Sequence, residues 1–404
     1  MNIFKETKVK KINFMINLIR YAHRIKMFLN FKNIFYSLLV FFYSLIGQNT
    51  RYPKYLLKFE SQIAKFFNSE YALTFSNGTT ALNAILYSLG VGKKSKVLIS
   101  KLSFPSVISS ILRIGATPIY LDFDNDLQII LADKEKIISS EFLLITHTYG
   151  IPQNISLIKK FFEINPKLVL IEDISHAQGA KIEKKFAGTI GKASFMSMQG
   201  DKSIGAGEGG IAFTSDEKIY NKMIYLMHLN RPNKNNPKLN LLSKVGFLGK
   251  GRMSPIGAVW ASKDLKTLKK RNFILREKFK IIYNELNHFE DLNFPSINNF
   301  ENLGGFHYGF PVFIKSNKIL GLLRKYFYIN KYNWPHLDKS EKFNDPEKFM
   351  ELIYSSDPSI DEVFAASNDL RDDLYFFDLS NLICMNNFTI KKNILKFKKL
   401  INET

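Results

Sequence analysis

The sequence predicts an α/β protein in which a mostly parallel, doubly wound sheet of seven strands is followed by a smaller α+β unit. Seven short runs rich in β-branched and aromatic residues alternate with segments whose apolar residues repeat on one helical face. An alternation of this kind places helices on both faces of a parallel sheet and ligands at the carboxyl ends of its strands. The predicted strands are residues 71–75, 97–100, 118–123, 142–148, 168–172, 193–198 and 210–214.

The length of 404 residues exceeds what one hydrophobic core usually serves, so more than one domain is expected. We predict an N-terminal extension over residues 1–50, a large domain over residues 51–263 and a small C-terminal domain over residues 264–404. The last boundary lies where a long amphipathic helix, predicted over residues 264–289, begins. The α+β character of the small domain is predicted from a strand-like run and a basic helical segment, at residues 309–314 and 391–401.

The composition is that of an ordinary folded protein, with 46% hydrophobic and 23% charged residues. The single cysteine, Cys384, excludes an internal disulfide framework and a multi-cysteine zinc site. The seven histidines show no metal-ligand spacing, so we predict no metal site. This cysteine usage fits a reducing cytoplasm.

The formal net charge of +21 is open to three interpretations. Lys, Asn, Ile and Phe are all abundant, which is typical of an AT-rich coding sequence, and the lysines are spread along the chain. A positive field would also suit phosphorylated ligands. The third interpretation, nucleic-acid binding, has no motif behind it, because the chain contains no zinc finger, helix-turn-helix signature or aromatic-basic RNA-binding run. No nucleic-acid partner is predicted.

The first 50 residues differ from the rest of the chain. Residues 1–32 are strongly basic, with Glu6 as their only acidic residue, and residues 34–46 are uncharged. This apolar core is shorter than the roughly 20 residues that span a bilayer. Three alternatives stay open: peripheral membrane contact through residues 1–48, a helix buried against the protein's own surface or a dimer partner, and a true span. We therefore expect a cytoplasmic protein and leave membrane association open.

Lys202 and Asp173 form the most informative pair in the sequence. Asp173 ends an apolar, strand-like stretch, and Lys202 follows a later predicted strand. A pyridoxal phosphate enzyme needs such a pair, because a carboxylate holds the proton on the ring nitrogen and a lysine amine forms the Schiff base with the cofactor. The pair predicts pyridoxal 5′-phosphate as the cofactor.

Other strand ends carry candidate cofactor ligands. Gly78, Thr79 and Thr80 begin a predicted helix after the first strand, where backbone N–H groups and hydroxyls suit a phosphate, although a plain helix cap is the alternative. Phe104 follows the second strand and offers a ring that could stack on a planar cofactor or join the core. His176 lies three residues after Asp173, within reach of a phenolic oxygen on the cofactor ring, or is a histidine of the core.

Together these motifs make the chain resemble the DegT/DnrJ/EryC1/StrS family of sugar aminotransferases, which have the type I pyridoxal phosphate fold. The resemblance runs from about Tyr55 to residue 263 and continues more loosely to the C-terminus. It implies that Thr79, Thr80 and Ser197 bind the cofactor phosphate, with Gly78 in the same turn. The segment 249–255 resembles the one that reaches the neighbouring subunit's phosphate, with Lys250 where many relatives carry Asn and Gly251 where they carry an aromatic residue.

The resemblance also assigns residues to the cofactor ring. Phe104 stands where the family stacks an aromatic residue on the ring, and Asp173 stands where the ring nitrogen is contacted. His176 occupies a position at which many relatives have Gln and some have His. Lys202 stands at the Schiff-base position, and since some relatives with histidine there are dehydratases, this lysine favours transamination.

The activity implied by the resemblance is transfer of an amino group from glutamate or glutamine to a keto sugar, usually nucleotide-linked, for polysaccharide, lipopolysaccharide or aminosugar biosynthesis. An obligate homodimer with shared active sites is implied, because Lys250 would complete the phosphate site of the partner. The sugar contacts would come from residues 230–242 and from the C-terminal domain, where residues 334–336 resemble a substrate-side loop. A pyridoxal phosphate protein of another reaction type, and a non-catalytic sensor, are the alternatives.

Overall fold

The computed structural model describes Phe35, Leu38, Phe42 and residues 54–231, 237–331, 340–354 and 373–402. The chain separates into two compact units, Met1–Thr50 and Arg51–Thr404. In the first unit the three described residues are helical and exposed. None of the helices in the described ranges is long and apolar enough to cross a membrane.

The second unit is built on a seven-stranded sheet that contains all seven predicted strands. Its order is β1-β9-β8-β5-β4-β2-β3, and the short strands β6 and β7 form a separate hairpin. The fold class predicted from the sequence is therefore confirmed. The bounds are β1 Tyr71–Phe75, β2 Lys96–Ser100, β3 Thr117–Leu121, β4 Phe142–Thr146, β5 Val169–Asp173, β6 Lys181–Ile182, β7 Lys185–Phe186, β8 Ala193–Ser197 and β9 Gly210–Thr214.

The direction of the strands gathers the candidate residues at one edge. Strands β3, β2, β4, β5 and β8 run parallel, whereas β9 is antiparallel to both of its neighbours, β8 and β1. The carboxyl ends of six strands therefore point the same way, and the ligand edge lies where parallel strands end. Apart from Lys250, every large-domain residue that the sequence assigns to the cofactor lies at the end of β1, β2, β5 or β8 or shortly after it.

Helices cover the sheet, and their apolar faces explain where they lie. In α2, a side-chain cap from Asn77 begins the helix and the left-handed Gly90 ends it, and its apolar face is fully buried. The described helices are α1 Lys54–Phe67, α2 Gly78–Leu89, α3 Pro105–Arg113, α4 Lys134–Ile138, α5 Ile155–Ile164, α6 Glu217–Met227, α7 Pro237–Leu242, α8 Pro255–Leu286, α9 Asn317–Leu323, α10 Pro346–Tyr354, α11 Leu379–Cys384 and α12 Asn387–Asn402.

The C-terminal part forms the predicted smaller α+β unit. Its antiparallel sheet has the order β10-β11-β13-β12 and packs with α8, α9 and α12 around a phenylalanine-rich core. The bounds are β10 Leu292–Asn293, β11 Gly309–Ile314, β12 Ile329–Lys331 and β13 Leu374–Asp378. Residues 334–336, which resemble a substrate-side loop, lie outside the described residues.

One predicted element is longer than the sequence suggests. The helix expected over residues 264–289 is α8, which begins nine residues earlier at Pro255 and ends at Leu286. Proline at the first helical position after Ser254 is a start signal, because the missing N–H would have had no partner there. The predicted domain boundary at residue 264 falls inside this continuous helix, so a division into large and small domains at that point stays a prediction.

Candidate functional site

A short hydrogen-bonded chain links the ends of β5 and β8 at the ligand edge. The N–H of Ser197 donates to Ser175 Oγ at 2.9 Å, and the N–H of Ser175 donates to Asp173 Oδ1 at 2.9 Å. Asp173 is buried, and burial raises the pKa of its carboxyl, against the hydrogen bonds from Ser175 and the positive charge of Lys202. The positive charge near Asp173 is therefore too little to offset the cost of burying its carboxylate, and a cationic ligand would stabilise it.

The start of α2 touches the end of β8. A Cβ built on Gly78 would lie 2.9 Å from Ser197 Cβ, so only glycine allows this approach. The first N–H groups of a helix have no partner within its own turns, and the start of α2 lies against Ser197. Asn77 Oδ1 accepts from both the N–H and the hydroxyl of Thr80, at 2.8 and 2.9 Å. The structure shows that Asn77 caps the helix and that Thr79 Oγ1 donates to Ser106 Oγ at 3.0 Å, and the phosphate site at Gly78, Thr79 and Thr80 stays a prediction.

Lys202 follows β8 in a tight loop, and its side chain is 8% exposed. Burial lowers the pKa of Lys202 to about 8, against the carboxylates of Asp201 and Asp173, which raise it. An amine with this pKa is partly neutral near pH 7 to 8, which is the form that attacks a carbonyl or accepts a proton.

His176 is enclosed by aromatic rings. Tyr149 stacks on it at a centroid distance of 5.2 Å, His307 packs at 4.7 Å, and Tyr308 meets it edge-on at 5.8 Å. Burial, with smaller contributions from Lys202 and His307, holds the pKa of His176 well below its usual value, so the ring is neutral. Its Nδ1 is buried with no hydrogen-bond partner among the described residues. A buried polar atom without a partner is rare and marks a place where a ligand can supply one.

Phe104 and Lys250 lie nearer the surface. Phe104 immediately precedes α3 and is 39% exposed, which is high for a phenylalanine and leaves its ring accessible. Lys250 is exposed and lines a cavity of about 340 Å³ together with Ser76 and Thr80 of the same chain. The N–H of Ser76 donates to the carbonyl of Gly251 at 2.7 Å, which places this segment beside the start of α2.

Residues 45–325 match the model of the DegT/DnrJ/EryC1/StrS aminotransferase family. The chain belongs to this family. Among curated relatives, it is 34% identical over 174 residues to GDP-perosamine synthase of Escherichia coli O157:H7, which is 42% of this chain and 48% of that protein. The match therefore spans about half the length of that relative.

Two solved structures of similar fold cover 87% and 89% of this chain. The 3-amino-5-hydroxybenzoic acid synthase has a TM-score of 0.68 at 17% identity, over 87% of this chain and 92% of that one. The E. coli GDP-4-keto-6-deoxy-D-mannose-3-dehydratase with bound hydrated PLP has a TM-score of 0.67 at 20% identity, over 89% and 96%. At these identities the similarity establishes the fold.

Within this family fold, Gln178 holds the lysine loop, a role that the sequence did not reveal. Its fully buried side chain donates to the carbonyl of Ser197 at 2.7 Å and accepts from the N–H of Ile204 at 2.6 Å. Asp264 supports the other side of the loop by accepting from the N–H of Gly205 at 3.0 Å. These side chains fix the backbone before and after Lys202. The only available sequence signal was that Gln178 lies two residues after His176.

His147, another polar residue at a strand end, belongs to the structural frame. Its Nε2 lies 3.2 Å from Glu172 Oε1, and both side chains are fully buried. Glu172 also accepts from the N–H groups of Gly188, Ile190 and Gly191 at 2.7 to 2.8 Å. Burial raises its pKa, but these donors outweigh burial and leave the pKa of Glu172 below the usual value. Because its partners are already in place, this carboxylate is not available for a ligand.

Proposed function

We propose that this chain is a pyridoxal phosphate-dependent aminotransferase that transfers an amino group from glutamate or glutamine to a keto sugar. The observation that carries the proposal is the buried Lys202, whose pKa of about 8 is set in the same pocket as the Asp173 carboxylate. Membership of an aminotransferase family supports it. The GDP-perosamine synthase relative favours a nucleotide-linked sugar as the acceptor.

The residues present fit the cofactor. The raised pKa of Asp173 reports a buried carboxylate short of a cationic partner, and a protonated ring nitrogen is such a partner. His176 Nδ1 has an unmet hydrogen bond. The close approach of Gly78 to Ser197 brings a helix N-terminus and a serine to one point, as phosphate binding requires. Phe104 supplies an accessible ring for stacking.

When bound, pyridoxal phosphate supplies an aldehyde for the amine and a protonated ring that disperses negative charge from the reacting carbon. Lys202 Nζ would remove the proton from the donor Cα and would return a proton during amination of the acceptor ketone. Asp173 would keep the proton on the ring nitrogen. His176, held neutral, would hydrogen-bond the ring substituent, and Gly78, Thr79, Thr80 and Ser197 would hold the phosphate.

The assembly and location of the enzyme are part of the same proposal. We infer a homodimer in which Lys250 contributes to the phosphate site of the partner, and the exposure of this lysine to the surface is consistent with that role. The aminated sugar would serve polysaccharide, lipopolysaccharide or aminosugar biosynthesis in the cytoplasm. Peripheral membrane contact through residues 1–48 is tested by fractionating membranes with and without them, and unchanged recovery would rule it out.

The absorption spectrum of the purified protein with pyridoxal phosphate, before and after L-glutamate, tests the reaction class. We expect a lysine-bound cofactor band that glutamate converts to the pyridoxamine form, with one equivalent of 2-oxoglutarate released. The Lys202→Ala protein should lack the lysine-bound band. A cofactor that binds but responds to neither glutamate nor glutamine would instead support another reaction type or a non-catalytic sensor.

A further inference from the structure

The helix α8 packs into both cores of the second unit. Its first half, which includes Leu268, belongs to the core of the large sheet, whereas its second half, which includes Leu275, belongs to the phenylalanine-rich C-terminal core. Arg271 lies between these two leucines, about one helical turn from each. This place on α8 brings the Arg271 side chain to the loop that carries Lys202.

Arg271 binds the backbone directly after Lys202. Its Nη2 donates to the carbonyl of Ser203 at 2.5 Å and to the carbonyl of Asp264 at 2.8 Å. The Asp264 carboxylate lies 3.8 Å from the same Nη2 and accepts from the N–H of Gly205 at 3.0 Å. Arg271 and Asp264 are about two helical turns apart, so they share one face of α8. Together they hold the chain one and three residues beyond Lys202.

The Ser203 side chain adds a contact with the segment that leads into β11. Its Oγ donates to the carbonyl of Gly305 at 2.5 Å. A Cβ on Gly305 would lie 2.3 Å from the N atom of Gln178, so this segment passes directly against the loop after β5. The residue next to Lys202 is therefore hydrogen-bonded both to α8 and to the connection between α8 and β11.

The position of this backbone matters because Lys202 acts through the amine at the end of its side chain. A displacement of about 1 Å at a reacting group can cost about 10²-fold in rate. Residues 205, 207, 209 and 210 are glycines, and glycine leaves a backbone free to take many conformations unless other contacts fix it. The guanidinium of Arg271 is a charged donor, and hydrogen bonds from charged donors are stronger than those between neutral groups.

We propose that Arg271 is a positioning residue that fastens the Lys202 loop to α8 and thereby places the Lys202 amine for the reaction. This inference rests on the proposed function, because it concerns how the reactive amine is placed. The link is short, since Arg271 is hydrogen-bonded to the residue that follows Lys202 in the chain. It ties the amine to a helix that is shared with the C-terminal core.

The first test follows amide hydrogen exchange in the full-length, cofactor-free protein by mass spectrometry. Arg271→Met keeps a long alkyl side chain but removes the donors, so the loop should open more often. The N–H groups of Lys202, Ile204 and Gly205 are hydrogen-bonded in the parent. Exchange over residues 198–206 should become about tenfold faster than in the parent, measured relative to β4, which reports any loss of overall stability.

The second test measures the glutamate half-reaction by rapid-mixing absorption with pyridoxal phosphate bound. In Arg271→Met its rate constant should fall about tenfold, while the half-saturating glutamate concentration stays within about twofold of the parent value. The circular dichroism band of the bound cofactor should weaken, because an achiral chromophore gains this signal only from a fixed orientation. Arg271→Lys, which keeps a charged donor, should restore part of the rate and of the band.

Arg276→Met is the matched control. Arg276 lies on the same helix, and its Nη1 donates to the carbonyl of Leu303 at 3.1 Å. The same substitution at this position should leave the exchange of residues 198–206 relative to β4, and the rate of the half-reaction, at the parent values. If Arg276→Met slows the half-reaction as much as Arg271→Met does, general loosening of α8 explains both effects and the positioning role is wrong.

Two further results separate this inference from the proposed function. If the parent attaches the cofactor at Lys202 but Arg271→Met changes neither loop exchange nor the half-reaction rate, the positioning role is wrong and the proposed function stands. If Arg271→Met does not fold, Arg271→Gln takes its place, since its side chain is too short to reach the Ser203 carbonyl. If the parent does not attach the cofactor at Lys202, the proposed function fails, and loop exchange still decides whether Arg271 holds the loop.

Discussion

Glu172 and Asp173 are consecutive residues of one strand, yet their surroundings are opposite. Glu172 receives hydrogen bonds from His147 and three backbone N–H groups, and its pKa is lowered despite complete burial. Asp173 has Ser175 as its hydrogen-bonding partner, and burial raises its pKa. Successive side chains of a strand point to opposite faces, so two adjacent carboxylates can belong to different environments.

This difference distinguishes two groups of residues: those such as Glu172 that stabilise the fold, which we call the frame, and those of the candidate cofactor site such as Asp173. On one face of β5 the chain supplies every donor that a buried carboxylate needs, which stabilises the fold. At the end of the same strand, Asp173 keeps a raised pKa, and nearby His176 Nδ1 has no hydrogen-bond partner among the described residues. Buried polar groups are costly when unpaired, so groups left in this state indicate that a ligand completes them. The same contrast supports the proposed cofactor site without reference to any relative.

The largest expected effect comes from Lys202. Lys202→Ala should reduce amination turnover by about 10³-fold or more, because it removes the amine that would move the proton. Steady-state turnover with L-glutamate and a nucleotide-linked keto sugar measures it. Lys202→Arg is the matched control, since it keeps a positive charge beside Asp173 but cannot form the covalent bond. Turnover of either variant within tenfold of the parent would contradict the assignment.

On the frame side, Glu172→Ala should destabilise the protein by about 3–5 kcal/mol, because it leaves buried N–H groups without an acceptor. Denaturant unfolding measures the loss, and activity per folded molecule should change little. Glu172→Gln should lose less, since one oxygen remains as an acceptor. If Glu172→Ala unfolds at the parent's denaturant concentration, the carboxylate is not structural.

The pH dependence of stability follows from the same carboxylate. The folded-state pKa of Glu172 is lowered, so its contribution is complete above the ordinary glutamate value of 4.5 and is lost as the pH falls below it toward the folded pKa. We expect the parent to lose stability over this acidic range and Glu172→Gln to lose less of it. Parallel acid-unfolding curves for the two proteins would contradict this account.

Asp173→Asn should leave the fold nearly unchanged and reduce turnover by about 10²-fold, because the amide cannot hold the proton on the ring nitrogen. Retained cofactor binding with a lower rate of the glutamate half-reaction, measured by rapid-mixing absorption, is the expected signature. A large loss of stability without a change in that rate would mean that Asp173 stabilises the fold and does not act on the cofactor.

Much of the frame could be predicted from the sequence, because local patterns encode it. Apolar runs predicted all seven strands, and placing Asp173 and Lys202 after such runs put them at one sheet edge. The contacts of Gln178 and His307 could not be predicted in this way. They depend on where distant segments meet, and neither residue has a neighbouring pattern that marks it. The start of α8 differs from the predicted one for another reason: Ser254 and Pro255 form a helix start signal nine residues before the charged, amphipathic part of the helix begins.

The smallest expected effect lies where frame and site share one residue. Asn77 Oδ1 accepts from the N–H and hydroxyl of Thr80, so Asn77→Ala should cost the cofactor-free protein about 1 kcal/mol. Pyridoxal phosphate would offer its phosphate to the same donors, and the loss should therefore shrink when the cofactor is saturating. Thermal unfolding with and without cofactor measures both values, and Asn77→Ser, which can still cap the helix, is the control. An equal loss in both conditions would mean that the start of α2 is only capped, and that the phosphate is held elsewhere.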